Sequence, residues 1–255
     1  MSKKAWLLIC VAAFLFFVVA LVVKMPADFA VAHLLKNNRE VTVAQISGTL
    51  LHGEAGYVSV KKFGKSIELG DVKWQLHPAA LLLGQVQLQL KAVNGEQKIA
   101  GDFTLKMDKT LHAENAELRV DAALITRLYP VLFKPEGQIE LDVRDFTFRD
   151  MQVLALDANL VARNLSLTVQ DTVELGTYGA RLSLVDEAIK ADVSDIDGQV
   201  SIEGSASFTP KTRQYAVDMQ LKPKPGAHAA IAQSLAFVGK QQGDGSFVVK
   251  MQRKM

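Results

Sequence analysis

Three stretches of the chain alternate apolar and polar residues without a break: Gly70-Asp71-Val72-Lys73-Trp74-Gln75-Leu76, Gly84-Gln85-Val86-Gln87-Leu88-Gln89-Leu90 and Gly137-Gln138-Ile139-Glu140-Leu141-Asp142-Val143. Successive side chains of an extended chain point to opposite faces, so each run sets one group of residues against a core and the other in water. A helix of the same sequence would spread both groups around its axis. The alternation therefore predicts half-buried antiparallel strands, about twelve to fourteen of them at hairpin spacing. Asn94-Gly95 is the strongest hairpin signal, because both central positions of a type I′ turn want φ > 0. Val185-Asp186-Glu187-Ala188 and Thr209-Pro210-Lys211-Thr212 read as further connections.

Helix signals are few. Ala27 to Asn37 reads as one helix, Ala122 to Tyr129 as a second capped by Asp121 and stopped by Pro130, and Ala227 to Val238 as a third. The last two suggest an internal repeat. Residues 97–143 and 200–251 both read strand, turn, strand, helix, loop and alternating strand, with Leu124 and Leu128 matching Ile231 and Leu235. A repeat of sheet plus small helix favours one elongated, twisted sheet.

Ala5 to Val23 is an uncharged apolar run with Lys3 and Lys4 in front of it. Its 19 residues would span roughly 28 Å as a helix, near the ~30 Å of bilayer hydrocarbon. A cleaved signal has a shorter apolar region of about 7–15 residues followed by a small-residue site, whereas this run ends in Val22-Val23-Lys24. The basic tail predicts a cytoplasmic N-terminus and an exported body. The expected organisation is a tail over 1–4, a transmembrane anchor over 5–23, a juxtamembrane helix or linker over 24–39 and a β-rich periplasmic domain over 40–255.

The chain carries a net charge of +2, with its basic residues scattered among acids, which argues against a nucleic-acid partner. The single cysteine, Cys10, sits in the apolar run, so the body has no disulfide and no thiol nucleophile. His33, His52, His77, His112 and His228 lack metal-ligand spacing, and no nucleophile elbow, Walker loop or dinucleotide fingerprint occurs. Asp192, Asp195, Asp197 and Gly198 resemble part of a calcium loop. With Gly198 at the sixth position, however, the first is Val193 and the twelfth Gly204, so both end ligands are missing and the cluster reads more simply as a polar turn carrying three carboxylates. No catalytic residue, metal or cofactor is expected. Phe146, Phe148 and Met151 read as core, or as a partner surface if exposed.

Gly48-Thr49-Leu50-Leu51-His52-Gly53-Glu54-Ala55 resembles a Gly-Thr-x-x-x-Gly-x-Ala signature of the type II secretion system protein N family, with Leu51 where an aromatic is expected. Trp74-Gln75-Leu76-His77-Pro78 and Leu81-Leu82-Leu83-Gly84 resemble that family's Trp-x-Leu-x-Pro and Leu-Leu-x-Gly segments. Pro135-Glu136-Gly137-Gln138-Ile139-Glu140-Leu141 is similar to repeats of the wider AsmA-like group. These motifs are structural: Gly48, Gly53, Gly84 and Gly137 permit turns or close approach, Trp74 fills a core or groove, and Thr49, Ala55 and Pro78 complete the pattern. The resemblance implies a mainly β protein: a single N-terminal transmembrane helix followed by an elongated, mostly antiparallel AsmA-like sheet with a few short helices. It implies an accessory, non-enzymatic inner-membrane component of type II secretion, working with other secretion subunits. The AsmA-like kinship implies an alternative, a β trough that shelters lipid or another hydrophobic ligand.

Overall fold

The computed structural model describes Phe17, Ala20, Leu21 and residues 23–38, 40–62, 65–124, 126, 134–168 and 172–254. These residues contain fourteen strands and three short helices, so the protein is mainly β, at the upper end of the number read from the alternation. Most of the apolar run over 5–23 lies outside them, and among the described residues no helix is long and apolar enough to cross a membrane. Phe17, Ala20, Leu21, Val23 and Lys24 are helical.

The chain divides into two compact units, Met1–Asn94 and Gly95–Met255. The first holds α1 (Ala27–Leu35), β1 (Val41–Gly48), β2 (His52–Lys62), β3 (Lys65–Leu76), α2 (Pro78–Leu82) and β4 (Gln85–Asn94). Each strand pairs antiparallel with the one before it, and the pairing brings the apolar sets together: Val43 faces Val58, Ala55 faces Val72 and Trp74 faces Leu90. That register follows from the period of two, because a slip of one residue would turn every apolar side chain into water.

The second unit holds β5 (Gln97–Lys106), β6 (Leu111–Asp121), β7 (Lys134–Arg149), β8 (Gln152–Thr168), β9 (Thr172–Val185), β10 (Ala188–Gly198), β11 (Val200–Thr209), β12 (Gln214–Pro223), α3 (Ala229–Val238), β13 (Lys240–Gln241) and β14 (Phe247–Lys254). Strands β5 to β12 lie in chain order, β14 pairs antiparallel with β12, and the two-residue β13 flanks β14. Asp121 caps a turn by accepting the Ala123 N–H at 2.8 Å. The helix expected beyond it is described only at Leu124 and Thr126, and its remainder lies outside the described residues. Of the two stretches read as a repeat, 97–143 holds β5, β6 and the first part of β7, and 200–251 holds β11, β12, α3 and most of β14.

Two features shape this sheet. Positive-φ turns close β7–β8 at Asp150-Met151 and β9–β10 at Asp186-Glu187, whereas at Asn94-Gly95 only Gly95 has positive φ. Bulges and positive-φ residues also line up across neighbouring strands. Gly137 of β7 lies against Arg163 and Asn164 of β8, Gly176 of β9 takes φ +95, and the β9–β10 register shifts around Ile196. Each bulge adds local twist, so their alignment bends neighbouring strands at the same level. One buried cluster lies under α3, where Val200, Leu221, Ile231 and Phe247 meet.

Candidate functional site

The motif residues of the first unit converge on one end of its sheet. Gly48, at φ +85, pairs with Gly53, and Gly53 faces Trp74 across the β2–β3 ladder. The indole lies so close that a Cβ on Gly53 would stand 2.2 Å from Trp74 Cζ2, which explains why a glycine is needed there. Trp74 Nε1 donates to the Leu50 carbonyl at 3.0 Å, and Thr49 Oγ1 accepts the His52 N–H at 3.1 Å. The half-buried ring thus pins the β1–β2 turn onto β3, with its one polar atom satisfied. Ala55 is buried beside it. Pro78 opens α2, and Gly84, at φ +69, lets the chain leave that helix for β4. Gly137 belongs to the second unit, where a Cβ would meet the Arg163 carbonyl oxygen at 2.6 Å. Beside the clasp, a hollow of about 320 Å³ is lined by Gln45, Glu54, Gly56, Asp71 and Lys73. Lys73, 3.3 Å away, and the Ser47 hydroxyl hold the Glu54 carboxyl below the usual range.

In the second unit the apolar face is laid out in rows that cross the strands. One row runs Leu118, Leu141, Leu160, Ala180 and Val193; the next runs Ala116, Val143, Ala158, Leu182 and Ala191. Among the described residues, the only extensive helix–strand contacts of this unit are those of α3 with β12 and β14. Along β6–β10 these side chains are therefore mostly half-buried, with Ala158 fully buried. Phe146 and Phe148 lie on the same face, half-buried, with ring centroids 6.3 Å apart. Met151 is not with them: it sits in the β7–β8 turn at φ 60 and is 82% exposed.

The opposite face is ionic. Glu140 accepts from Arg119 Nε at 3.2 Å and Arg163 Nε at 2.8 Å, tying β6, β7 and β8 together. His112 contacts Glu114 at 3.0 Å and Thr147 at 2.8 Å. Asp192, Asp195 and Asp197, expected in a polar turn, are instead spread along β10, where pairing with β9 and β11 holds the chain extended. Asp192 pairs with Lys190 at 2.8 Å, while Asp195 pairs with Lys224 at 2.5 Å on the apolar side. The Lys224 ammonium, with the Ile202 N–H, holds the Asp195 carboxyl low, and burial pushes the nearby Tyr178 hydroxyl up. Among the described residues, no cluster of three or more His, Cys, Asp or Glu side chains could hold a metal ion. The Asp195–Lys224 pair escaped the sequence reading because its partners are 29 residues apart. A polar residue in phase with Val193 was the only available signal.

These features define a β-ladder protein: in each unit antiparallel strands follow one another with apolar residues gathered on one face, and the described helices that join them are short. The profile of the family described as type II secretion system (T2SS), protein N matches residues 39–250. The chain belongs to that family. It is 26% identical over 243 residues to the type II secretion system protein N of Vibrio cholerae serotype O1, covering 92% of this chain and 93% of that protein. It is 24% identical over 240 residues to the type II secretion system protein N of Aeromonas hydrophila, with the same coverages. No solved structure matches the chain.

Proposed function

We propose that this protein is a membrane-tethered, non-catalytic accessory or scaffold component of the type II secretion system. The apolar run over 5–23 anchors it in the inner membrane of a Gram-negative bacterium, the N-terminus is cytoplasmic and the β units are periplasmic. The observation that supports this reading is the family match over 39–250, which follows, after α1, an apolar run that is helical wherever it is described. Partners bind by strand addition to the outer edge of β1, which pairs with no strand but β2 among the described residues apart from the adjoining Pro26–Thr49 bridge. The test is cross-linking in the native membrane followed by gentle extraction and native mass spectrometry. Secretion subunits should be captured, and deletion of the chain should lower exoprotein release. A chain without secretion partners, whose loss leaves release unchanged, would sink the proposal.

A second reading is favoured by one observation, the apolar face of β6–β10, whose rows are mostly half-buried and over which no helix lies among the described residues. Such a face suits a lipid or another hydrophobic ligand lying along the rows of leucine, valine and alanine. Phospholipid retained through purification, and lost when Leu141 and Leu160 are both changed to Asn, supports it. Purified chain free of lipid removes it.

A further inference from the structure

Three consecutive leucines break the alternation of the first unit. Leu81, Leu82 and Leu83 lie on α2 and the turn behind it, and they are 39, 80 and 77% exposed. Their outward setting is built in: Pro78 starts the helix, Ala80 is the residue that packs inward, and Gly84 turns the chain straight into β4. A connection needs no leucines, and adjacent exposed leucines carry a cost in water that some apolar surroundings must offset.

The same end of this sheet receives the chain as it leaves the apolar run. The Met25 carbonyl accepts the Leu50 N–H at 2.9 Å, Pro26 forms a bridge with Thr49, and the Leu51 carbonyl accepts the Leu76 N–H at 2.7 Å. Met25, the β1–β2 turn and the residue two before α2 are thus fastened in one hydrogen-bonded row. Met25 lies two residues beyond Val23, the last of the apolar run. Helix α1, next in the chain, buries Ala27 and Ala30 while Phe29 and Leu34 stay exposed. The chain from Val72 to Gly95 contains Lys73 and Lys91 and no carboxylate, so this segment brings no acid toward an anionic surface.

We propose that Leu81–Leu83 insert into the interfacial zone of the bilayer beside the anchor, giving this end of the first sheet a second membrane contact. The inference rests on reading residues 5–23 as a membrane anchor. A single span behaves as a swivel. Adding a short apolar loop at the point of chain exit fixes how the sheet stands on the lipid. The occupant is lipid rather than protein because the hydrogen-bonded row ties the leucines to the residues just behind the anchor.

The test uses the full chain in a Cys10→Ser background, reconstituted in phosphatidylethanolamine–phosphatidylglycerol liposomes. Leu82→Cys, at a site exposed enough to tolerate change, carries an environment-sensitive fluorophore. Lys61→Cys, towards the other end of β2, carries the same label as the reference. The expected result is a blue-shifted Leu82 label that loses most of its emission to lipid-borne quenchers, while the Lys61 label stays water-like and unquenched. A water-like Leu82 label on a chain that resists carbonate extraction overturns the second contact and leaves the anchor standing. A blue shift without lipid quenching points to a protein occupant and also overturns it. A chain that carbonate washes off removes the anchor reading and this inference together.

Discussion

Where α3 lies on β12 and β14 the second unit is two layers thick, and along β6–β10 its described residues form one. In the covered corner Val200, Ile231 and Phe247 are 3–5% exposed. In the open part Leu141, Leu160 and Leu182 occupy the same apolar face and stay half-buried, although they belong to the longest strands of the chain, 16, 17 and 14 residues. The two regions are held by different means. In the corner Val200, Leu221, Ile231 and Phe247 pack against one another and exclude water, as a protein interior does. The open ladder depends on cross-strand pairs and on the hydrogen bonds of long strands. One face of a sheet can therefore be core at one place and an available surface at another, with no change in the alternation of its sequence.

The sharpest way to break this comparison is to empty the corner. Phe247→Ala should lower stability by about 3–5 kcal/mol, since the ring is enclosed and its loss leaves a cavity. The check is the urea midpoint of the full chain in detergent, and a shift worth under about 1 kcal/mol would show that the corner is not close-packed. The clasp of the first unit, where Trp74 lies on Gly53, is packed as tightly at one point. Gly53→Ala should cost about 1–3 kcal/mol, because the new Cβ must displace the indole that now lies 2.2 Å from its position. In a Trp6→Phe background the Trp74 emission should move to the red as the ring is pushed toward water. Unaltered emission would mean that the turn, not the ring, gives way.

In the open ladder the same kind of truncation should matter less. Leu160→Ala should cost about 1 kcal/mol, roughly half of what burying a whole leucine contributes, because a half-buried side chain leaves little cavity behind. A loss equal to that of Phe247→Ala would mean that something covers this face. Loss of bound lipid from the Leu160→Ala protein at nearly unchanged stability would instead sharpen the lipid reading.

Much of the fold was legible because the alternation is so regular. Val72, Trp74 and Leu76, or Ile139, Leu141 and Val143, declare a face on sight. The family motifs were legible too, and the structure supplies a physical account of them: Gly53 is small because Trp74 lies on it. Turn chemistry was read less well. The connection at Val185-Asp186-Glu187-Ala188 was legible, but not the positive φ that both Asp186 and Glu187 take; the turn at Asp150-Met151 was not read as one, and Asn94 lies within β4. Register imposed by two long strands overrides the local preference of a turn residue. Nor could alternation tell the covered rows from the open ones, because whether a helix lies over a strand depends on contacts far along the chain, such as Ile231 with Val200. Leu81–Leu83 were seen as part of a motif, but their exposure follows from Ala80 taking the inward position, which spacing over five helical residues does not reveal.

The smallest expected effect lies at the rim of the covered corner and reads its integrity by pH. Asp244 sits in the turn before β14, where the Ser246 hydroxyl, at 2.6 Å, and the Ser246 N–H, at 3.1 Å, both donate to Oδ1. Lys222 lies 3.4 Å from the other carboxylate oxygen, and together these groups hold the Asp244 carboxyl at about 2. In the unfolded chain it titrates near the usual ~3.9. The folded value is the lower one, so the stabilisation is fully present above about pH 4 and is lost as pH falls toward about 2. Ser246 is itself fully buried and precedes Phe247, so this turn helps position the ring that closes the corner. Asp244→Asn should therefore show a shallower decline of the urea midpoint between about pH 5 and pH 2.5, with the two proteins converging at the acid end. Parallel curves would mean that the carboxylate is equally free in the folded and unfolded chains. The rim would then be loose, and the corner would owe its burial to α3 alone.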